Sequence, residues 1–174
     1  IESFKGVAVD QSNAAIRSIQ IRPYLDQIIT SLGPYLNRQR LTVEVDGADF
    51  GLSLPAGPFS QVITNLLQNA AIHAYKEQGG GVRIWVSEPV DGRFQVQLSD
   101  QGAGIPATAL PRIFEPLFTT RLGSGGSGLG LNICYKIVDE VLNGSLTATS
   151  EVGKGATFTM ELPLASEIPK SASH

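Results

Sequence analysis

The chain has 174 residues, 42% of them apolar and 17% charged, with a formal net charge of −3. That is enough chain for one domain with a real core and short appendages. The mild acidity lacks the clustered Lys and Arg that a nucleic-acid surface needs. A lone cysteine, Cys134, excludes an internal disulfide, and no run of about 18 apolar residues exists to span a membrane as a helix.

The chain opens at Ile1-Glu2-Ser3-Phe4 with neither initiator Met nor signal peptide, so it reads as cut from a longer protein. Residues 1–16 are weakly amphipathic. Residues 18–21 read as a short strand, and Pro23 opens a helix through about Leu36, Pro being tolerated in a first turn. Residues 41–47 and 50–55 alternate as strands. A helix follows over residues 58–76. Val62, Ile63, Leu66, Leu67, Ala70 and Ala74 make its apolar face. Beside that face Asn65 and Asn69 stack one turn apart, and His73 continues their row.

Residues 81–89 and 92–100 read as two strands joined at Val90-Asp91-Gly92, a hairpin signal. In the second strand Phe94, Val96 and Leu98 share one face, and Asp100 has the same parity. A buried apolar row therefore ends in a carboxylate, with Gly102 and Gly104 just beyond it. Residues 101–127 are rich in Gly, Pro, Ser and Thr around an apolar island at Leu110–Phe118. Irregular segments that long are usually lids or binding loops. The glycine cluster at 123–130 leads into a helix over about 128–142, and such a turn offers free N–H groups to phosphate. Residues 144–163 make two strands around Gly153-Lys154-Gly155, and the polar tail beyond them frays. Tyr24, Trp85 and Cys134 read as packing residues. The elements sum to a mixed α/β domain.

Three of these features belong to one chemistry. A carboxylate at a strand end can accept from an exocyclic amine such as that of adenine. A glycine-rich helix start cradles phosphates, and two amide oxygens on successive helix turns suit Mg²⁺, which takes few protein ligands beside phosphate oxygens. The Walker pattern Gly-x-x-x-x-Gly-Lys-[Ser/Thr] does not occur, so an ATP site here is of another kind.

The motifs and their order resemble those of the catalytic and ATP-binding (HATPase) domain of bacterial sensor histidine kinases. That domain belongs to the GHKL ATPase superfamily, with DNA gyrase, the heat-shock chaperone ATPases and the mismatch-repair ATPases. Residues 65–70, Asn-Leu-Leu-Gln-Asn-Ala, resemble the N box. Residues 100–104, Asp-Gln-Gly-Ala-Gly, resemble the first glycine box, and residues 113–121, Ile-Phe-Glu-Pro-Leu-Phe-Thr-Thr-Arg, the F box. Residues 126–131 resemble the second glycine box, and residues 153–158 the final hairpin. The ordered set, over residues ~17–164, is far more specific than any one box, and the F box favours histidine kinases over gyrase-like relatives.

The resemblance implies an α+β, two-layer α/β sandwich: a mixed, mostly antiparallel five-stranded sheet, about three helices on one face and a mobile ATP lid. It implies that residues 1–16 end a dimerisation and phosphoacceptor helix or linker, that 17–165 are the ATP-binding domain and that 166–174 are a frayed tail. Asp100 would accept the adenine amino hydrogen bond, with Gly102, Gly104 and Ile105 beside it. Asn69 would be the main Mg²⁺ ligand and Asn65 its support, and His73 would stack near the base. Thr119, Thr120 and Arg121 would lie along the lid, Arg121 as a phosphate stabiliser. Gly126, Ser127, Gly128, Leu129 and Gly130 would close over the phosphates, and Thr157 would reach the base through water. Phe114, Leu117 and Phe118 would position the lid or dock a partner.

Two departures qualify this. Ile72 stands where the family commonly has a phosphate-reaching Lys, with Lys76 one turn later. The only histidines are His73 and His174, neither in a phosphoacceptor context, so the chain is expected to bind ATP and Mg²⁺ without phosphorylating itself. The implied partners are the histidine-bearing helices of the same protein and a response regulator. The implied parent is homodimeric and the isolated domain monomeric, cytoplasmic and without membrane contact, in a parent either soluble or membrane-anchored. The alternatives are an anti-sigma-type serine kinase, disfavoured by the helix remnant at 4–12, and a degenerate nucleotide-sensing or docking module, disfavoured by the intact boxes.

Overall fold

The computed structural model describes residues 15–118 and 130–165. Strand β1 (Ile16–Gln20) runs directly into helix α1 (Ile21–Ser31), whose Ile21, Tyr24, Leu25 and Ile28 are buried along one helical face. The single helix expected to reach Leu36 is instead two, because α2 (Gly33–Arg38) starts afresh after Leu32. Pro34 explains the break. Its ring crowds the carbonyl four residues back and it has no N–H to donate, faults that a first turn tolerates and a helix interior does not.

Strands β2 (Leu41–Gly47) and β3 (Gly51–Pro55) follow, then helix α3 (Ala56–Asn69), which widens into a π-turn at Ala70–Ala74. Strands β4 (Gly80–Val86) and β5 (Arg93–Asp100) form a hairpin. Its two turn residues, Asp91 and Gly92, both have positive φ, which matches the natural twist of the strands. A short 3-10 turn at Leu110–Arg112 precedes helix α4 (Gly130–Lys136) with its own π-turn at Ile137–Val141, and strands β6 (Ser145–Ser150) and β7 (Ala156–Pro163).

Five strands form a mixed sheet in the order β2-β4-β5-β7-β6. β2 and β4 run parallel, and the other three neighbouring pairs are antiparallel. β1 and β3 pair separately, and Ser53 of β3 also bridges Ala165. The α+β sandwich with a mostly antiparallel five-stranded sheet is therefore what the chain forms. One sheet face carries Val82, Ile84, Val86, Phe94, Val96, Leu98, Phe158, Met160 and Leu162, all buried in the single core shared with the helices. Tyr24 joins that core and donates its hydroxyl to the Ala56 carbonyl at 2.9 Å.

The expectation for Trp85 is corrected. Strand alternation sends it with Arg83 to the opposite sheet face, where it is 36% exposed beside Gln97 and Ser99 in a shallow groove.

Helix α3 is the centre of the helical layer. Ten of its fourteen residues are buried, so only Gln61, Asn65, Gln68 and Asn69 remain as a polar stripe able to meet a ligand. That stripe, the C-terminal end of β5 and the N-terminal end of β7 frame the region described next.

Candidate functional site

Asp100 closes β5 in register with the apolar row before it and is only 6% exposed. Its Oδ1 accepts two backbone N–H groups, from Gly102 at 3.0 Å and from Ala156 at 3.1 Å. Burial pushes the carboxyl above the usual carboxylate range, and the two amides act against that shift. Among the described residues no donor is aimed at Oδ2. One oxygen is thus fixed by the protein while the other is left for an outside donor.

The loop after Asp100 is held by backbone contacts. The Ala103 N–H donates to the Ala74 carbonyl at 2.9 Å, and the Gly153 N–H to the Ala103 carbonyl at 2.8 Å. A Cβ on Gly102 would lie 2.4 Å from the Ala74 oxygen. Gly104 has φ +75°, and a Cβ there would lie 2.2 Å from the Glu151 oxygen. At each glycine the place of a Cβ is filled by backbone, so these glycines let the loop that carries Asp100 pack closely on Ala74 and Glu151. Ile105 donates its N–H to the Ser150 hydroxyl, which donates in turn to the Gly155 carbonyl, both at 2.7 Å. Ser150 thus ties this loop to the β6–β7 hairpin.

On α3, Asn65 sets its amide against Cys134 of α4, whose buried thiol is pushed up to about 12 by desolvation, the Asn65 bond acting the other way. Cys134 is a core residue, as expected. Asn69, at the last turn of α3, is half-buried, and no described residue bonds its side chain. His73 lies in the π-turn, where the Tyr75 N–H reaches back five residues to the Ala70 carbonyl at 3.0 Å. The wider turn means that the Asn65–Asn69 row does not continue to His73 at α-helical spacing. Lys76 is past the helix altogether, exposed in a left-handed turn with φ 50°, so it does not sit one turn along the helix from Ile72.

The F-box segment divides in two. Ile113 is buried, and Phe114 packs on Tyr135 and Phe158 with ring centroids at 5.4 and 6.4 Å. The buried Asn132 donates its amide to the Phe114 carbonyl at 3.0 Å, pinning this segment to α4. Phe114 is therefore anchored to the domain through α4 and β7 while its ring stays half-buried. Leu117 is the reverse: 65% exposed, with φ 63°. Phe118 lies under the Arg112 guanidinium at 4.8 Å.

Thr157 is not brought to Asp100. Its neighbours Ala156 and Phe158 face the core, so it faces the open side of the sheet and bonds Ser99 at 2.9 Å between hydroxyls. Gly130 lies in α4, with no described residue within 4 Å of where its Cβ would be. Thr119, Thr120, Arg121, Gly126, Ser127, Gly128 and Leu129 lie outside the described residues.

Ser150 and Asn132 are positioning residues that the sequence reading passed over. Asn132 left a signal, as the one strongly polar residue in the run 129–134, whereas Ser150 left none.

Among the described residues no cluster of three or more His, Cys, Asp or Glu could hold a metal. A cation here would rest on amide oxygens and ligand phosphates. The Asn69 amide at the rim of the α3 stripe, which no described residue bonds, has the oxygen that a hard cation such as Mg²⁺ would need.

A family model described as histidine kinase-, DNA gyrase B- and HSP90-like ATPase matches residues 56–166. The two-component sensor PprA of Pseudomonas aeruginosa is 33% identical over 167 residues, covering 91% of this chain and 18% of that protein. The chain spans about a sixth to two fifths of the length of the curated relatives it matches. The catalytic domain of histidine kinase ThkA, solved nucleotide-free, superposes with a TM-score of 0.73 at 25% identity, covering 87% of this chain and 97% of that one. ThkA in complex with the response regulator protein TrrA is alike in fold, with a TM-score of 0.70 at 21% identity over 86% of this chain and 42% of that one.

Proposed function

The chain belongs to the histidine kinase-, DNA gyrase B- and HSP90-like ATPase family, and from that premise we propose that residues 17–165 are the ATP-binding catalytic domain of a sensor histidine kinase. The observation that carries the site is Asp100, a buried carboxylate with Oδ1 spent on two backbone amides and Oδ2 available. Such a group suits the 6-amino group of adenine, a donor that guanine and the pyrimidine diketones lack at that position. The phosphates then lie toward the polar stripe of α3, with Asn69 as the Mg²⁺ ligand and Asn65 supporting it one turn earlier on the helix. Bound there, Mg²⁺ would neutralise charge on the phosphate oxygens.

Phosphoryl transfer asks the protein mainly for alignment and charge neutralisation. An imidazole nitrogen, supplied by the histidine-bearing helices, attacks the γ-phosphorus in line. The bond to the β,γ-bridging oxygen breaks, ADP leaves, and the imidazole gives up its proton to solvent. Asp100 takes no part in this step and fixes the distance at which it occurs. The phosphoryl group then passes to an aspartate of a response regulator, a step that the sensor names of the relatives support. Thr119, Thr120, Arg121 and the 126–130 glycines are assigned to the phosphates on sequence likeness. Exposed Leu117 with Phe118 is assigned to docking of the helices, and a homodimeric parent is assigned on family likeness. Among the described residues no helix is long and apolar enough to cross a membrane.

Calorimetric titration with ADP and a non-hydrolysable ATP analogue, with and without Mg²⁺, tests the reading. Micromolar-range binding that Mg²⁺ alters is expected, and no heat at millimolar nucleotide would overturn it.

A further inference from the structure

We infer that Tyr75 sets the direction of the Asp100 carboxylate, and through it the preference of this site for adenine over other bases; the inference rests on the reading of Asp100 as the base acceptor. β4 and β5 pair antiparallel from Val86↔Val96 down to Val82↔Asp100, and the next pair in that register is Gly81 with Gln101. That pair does not form. The phenol oxygen of Tyr75 stands in the gap, accepting the Gln101 N–H at 2.8 Å and donating to the Gly81 carbonyl at 2.6 Å. A side-chain hydroxyl has replaced the direct ladder contact between those backbone groups, so β5 leaves β4 immediately after the acid.

The ring has room because residue 80 is glycine. A Cβ there would lie 2.3 Å from the Tyr75 ring. Tyr75 is placed in turn by the π-turn, its own N–H reaching the Ala70 carbonyl at 3.0 Å, while the Ala74 carbonyl beside it takes the Ala103 N–H at 2.9 Å. The stretch from Gln101 to Ala103 is thus moored at both ends to Ala74 and Tyr75.

The consequence for Asp100 is geometric. The Gln101 N–H lies in the peptide plane that follows Asp100, so holding it fixes ψ of the acid. With Oδ1 already tied to Gly102 and Ala156, Oδ2 keeps one direction. Without the hydroxyl, Gly81 and Gln101 can close on each other directly, lengthening the ladder by one residue and turning the carboxylate. Tyr75 is a positioning residue, and its effect should show in which base is chosen, not only in how tightly nucleotide is held.

The test compares ADP with IDP, whose base has a carbonyl where adenine has the amine, on the wild-type chain and Tyr75→Phe by calorimetry, with melting recorded alongside. The wild type should prefer ADP by about tenfold or more, since a wrong partner leaves a buried acceptor unmet. In Tyr75→Phe that ratio should shrink by about fivefold through weaker ADP binding, with IDP within about twofold of wild type. A general loosening would weaken both ligands alike, and an unchanged ratio overturns the inference. A wild type indifferent to ADP and IDP overturns the reading of Asp100 itself, a separate result. Should Tyr75→Phe fail to fold, Gly80→Ala displaces the ring with its hydroxyl intact. The same loss of ratio is expected there, and an unchanged ratio again overturns the inference.

Discussion

At Asp100 one side chain answers two demands, and it answers them with different atoms. Oδ1 is structural and Oδ2 is open. Asp100→Asn separates the two. An asparagine can keep its oxygen on Gly102 and Ala156, but it then presents an amide donor to the adenine amine, two donors facing each other. Nucleotide affinity should fall by about 2–3 kcal/mol, while chemical denaturation shows little change. The pH dependence has a definite sign. The folded pKa of Asp100 is raised above its unfolded value, so between the two values the folded chain binds more protons and this residue's contribution to stability falls as pH rises. Adenine needs the ionised acceptor, so ADP affinity instead falls as pH drops through the raised value, above the range of an ordinary Asp. Asp100→Asn should flatten both trends, and affinity titrations stepped down from neutral pH check this. The inward parity of Asp100 was readable from Phe94, Val96 and Leu98 alone. The bonds from the Ala156 N–H to Asp100 and from the Gln101 N–H to Tyr75 were not, because they join residues far apart in sequence, and no local pattern encodes which strand end meets which loop.

Among the elements, the segment from Ile113 to Phe118 shows how one apolar run serves two purposes. Phe114→Ala removes the packing on Tyr135 and Phe158 and should cost about 2 kcal/mol in urea unfolding, less than a fully buried Phe because the ring is half-buried. Leu117→Gly should be neutral or stabilising by up to about 1 kcal/mol, since it removes a left-handed β-carbon from an exposed site. A turn with no further duty would carry glycine there, so the same variant should weaken transfer to the histidine-bearing helices when these are supplied. Equal stability losses in the two variants would contradict this division. The helices show what periodicity can and cannot give. The apolar face of α3 followed from spacing, because burial repeats at 3.6 residues. The break at Leu32 has a local cause in Pro34, which fits the first turn of a helix and not its interior. The π-turns after Asn69 and Lys136 have no such marker, since a five-residue hydrogen bond needs no special residue and arises from what the helix end must reach. Trp85 is apolar by composition, but its parity, opposite to that of Val82, Ile84 and Val86, points it outward.

Among the described residues sheet and helices share one core, and the proposed site lies where the end of β5, the hairpin before β7 and the end of α3 meet. A ligand held by all three links elements that unfolding must separate, so binding should be felt by the entire cooperative unit and not by a local loop. Linkage then sets the size of the effect. At a nucleotide concentration of 100 times Kd, stability rises by about 2.7 kcal/mol. For a domain of this size each kcal/mol moves the melting temperature by about 2–4 °C, so a shift of about 5–10 °C is expected. ADP with Mg²⁺ should produce that shift in calorimetric melting of the wild-type chain as one sharpened transition. Asp100→Asn should keep no more than about 3 °C of it at the same concentration, and Asn69→Ala should lose the part that depends on Mg²⁺ while keeping the part due to the base. A shift in Asp100→Asn as large as in the wild type would mean that the nucleotide is held elsewhere on the fold. Loss of both parts in Asn69→Ala would mean that the α3 stripe supports the structure of the site rather than the ion.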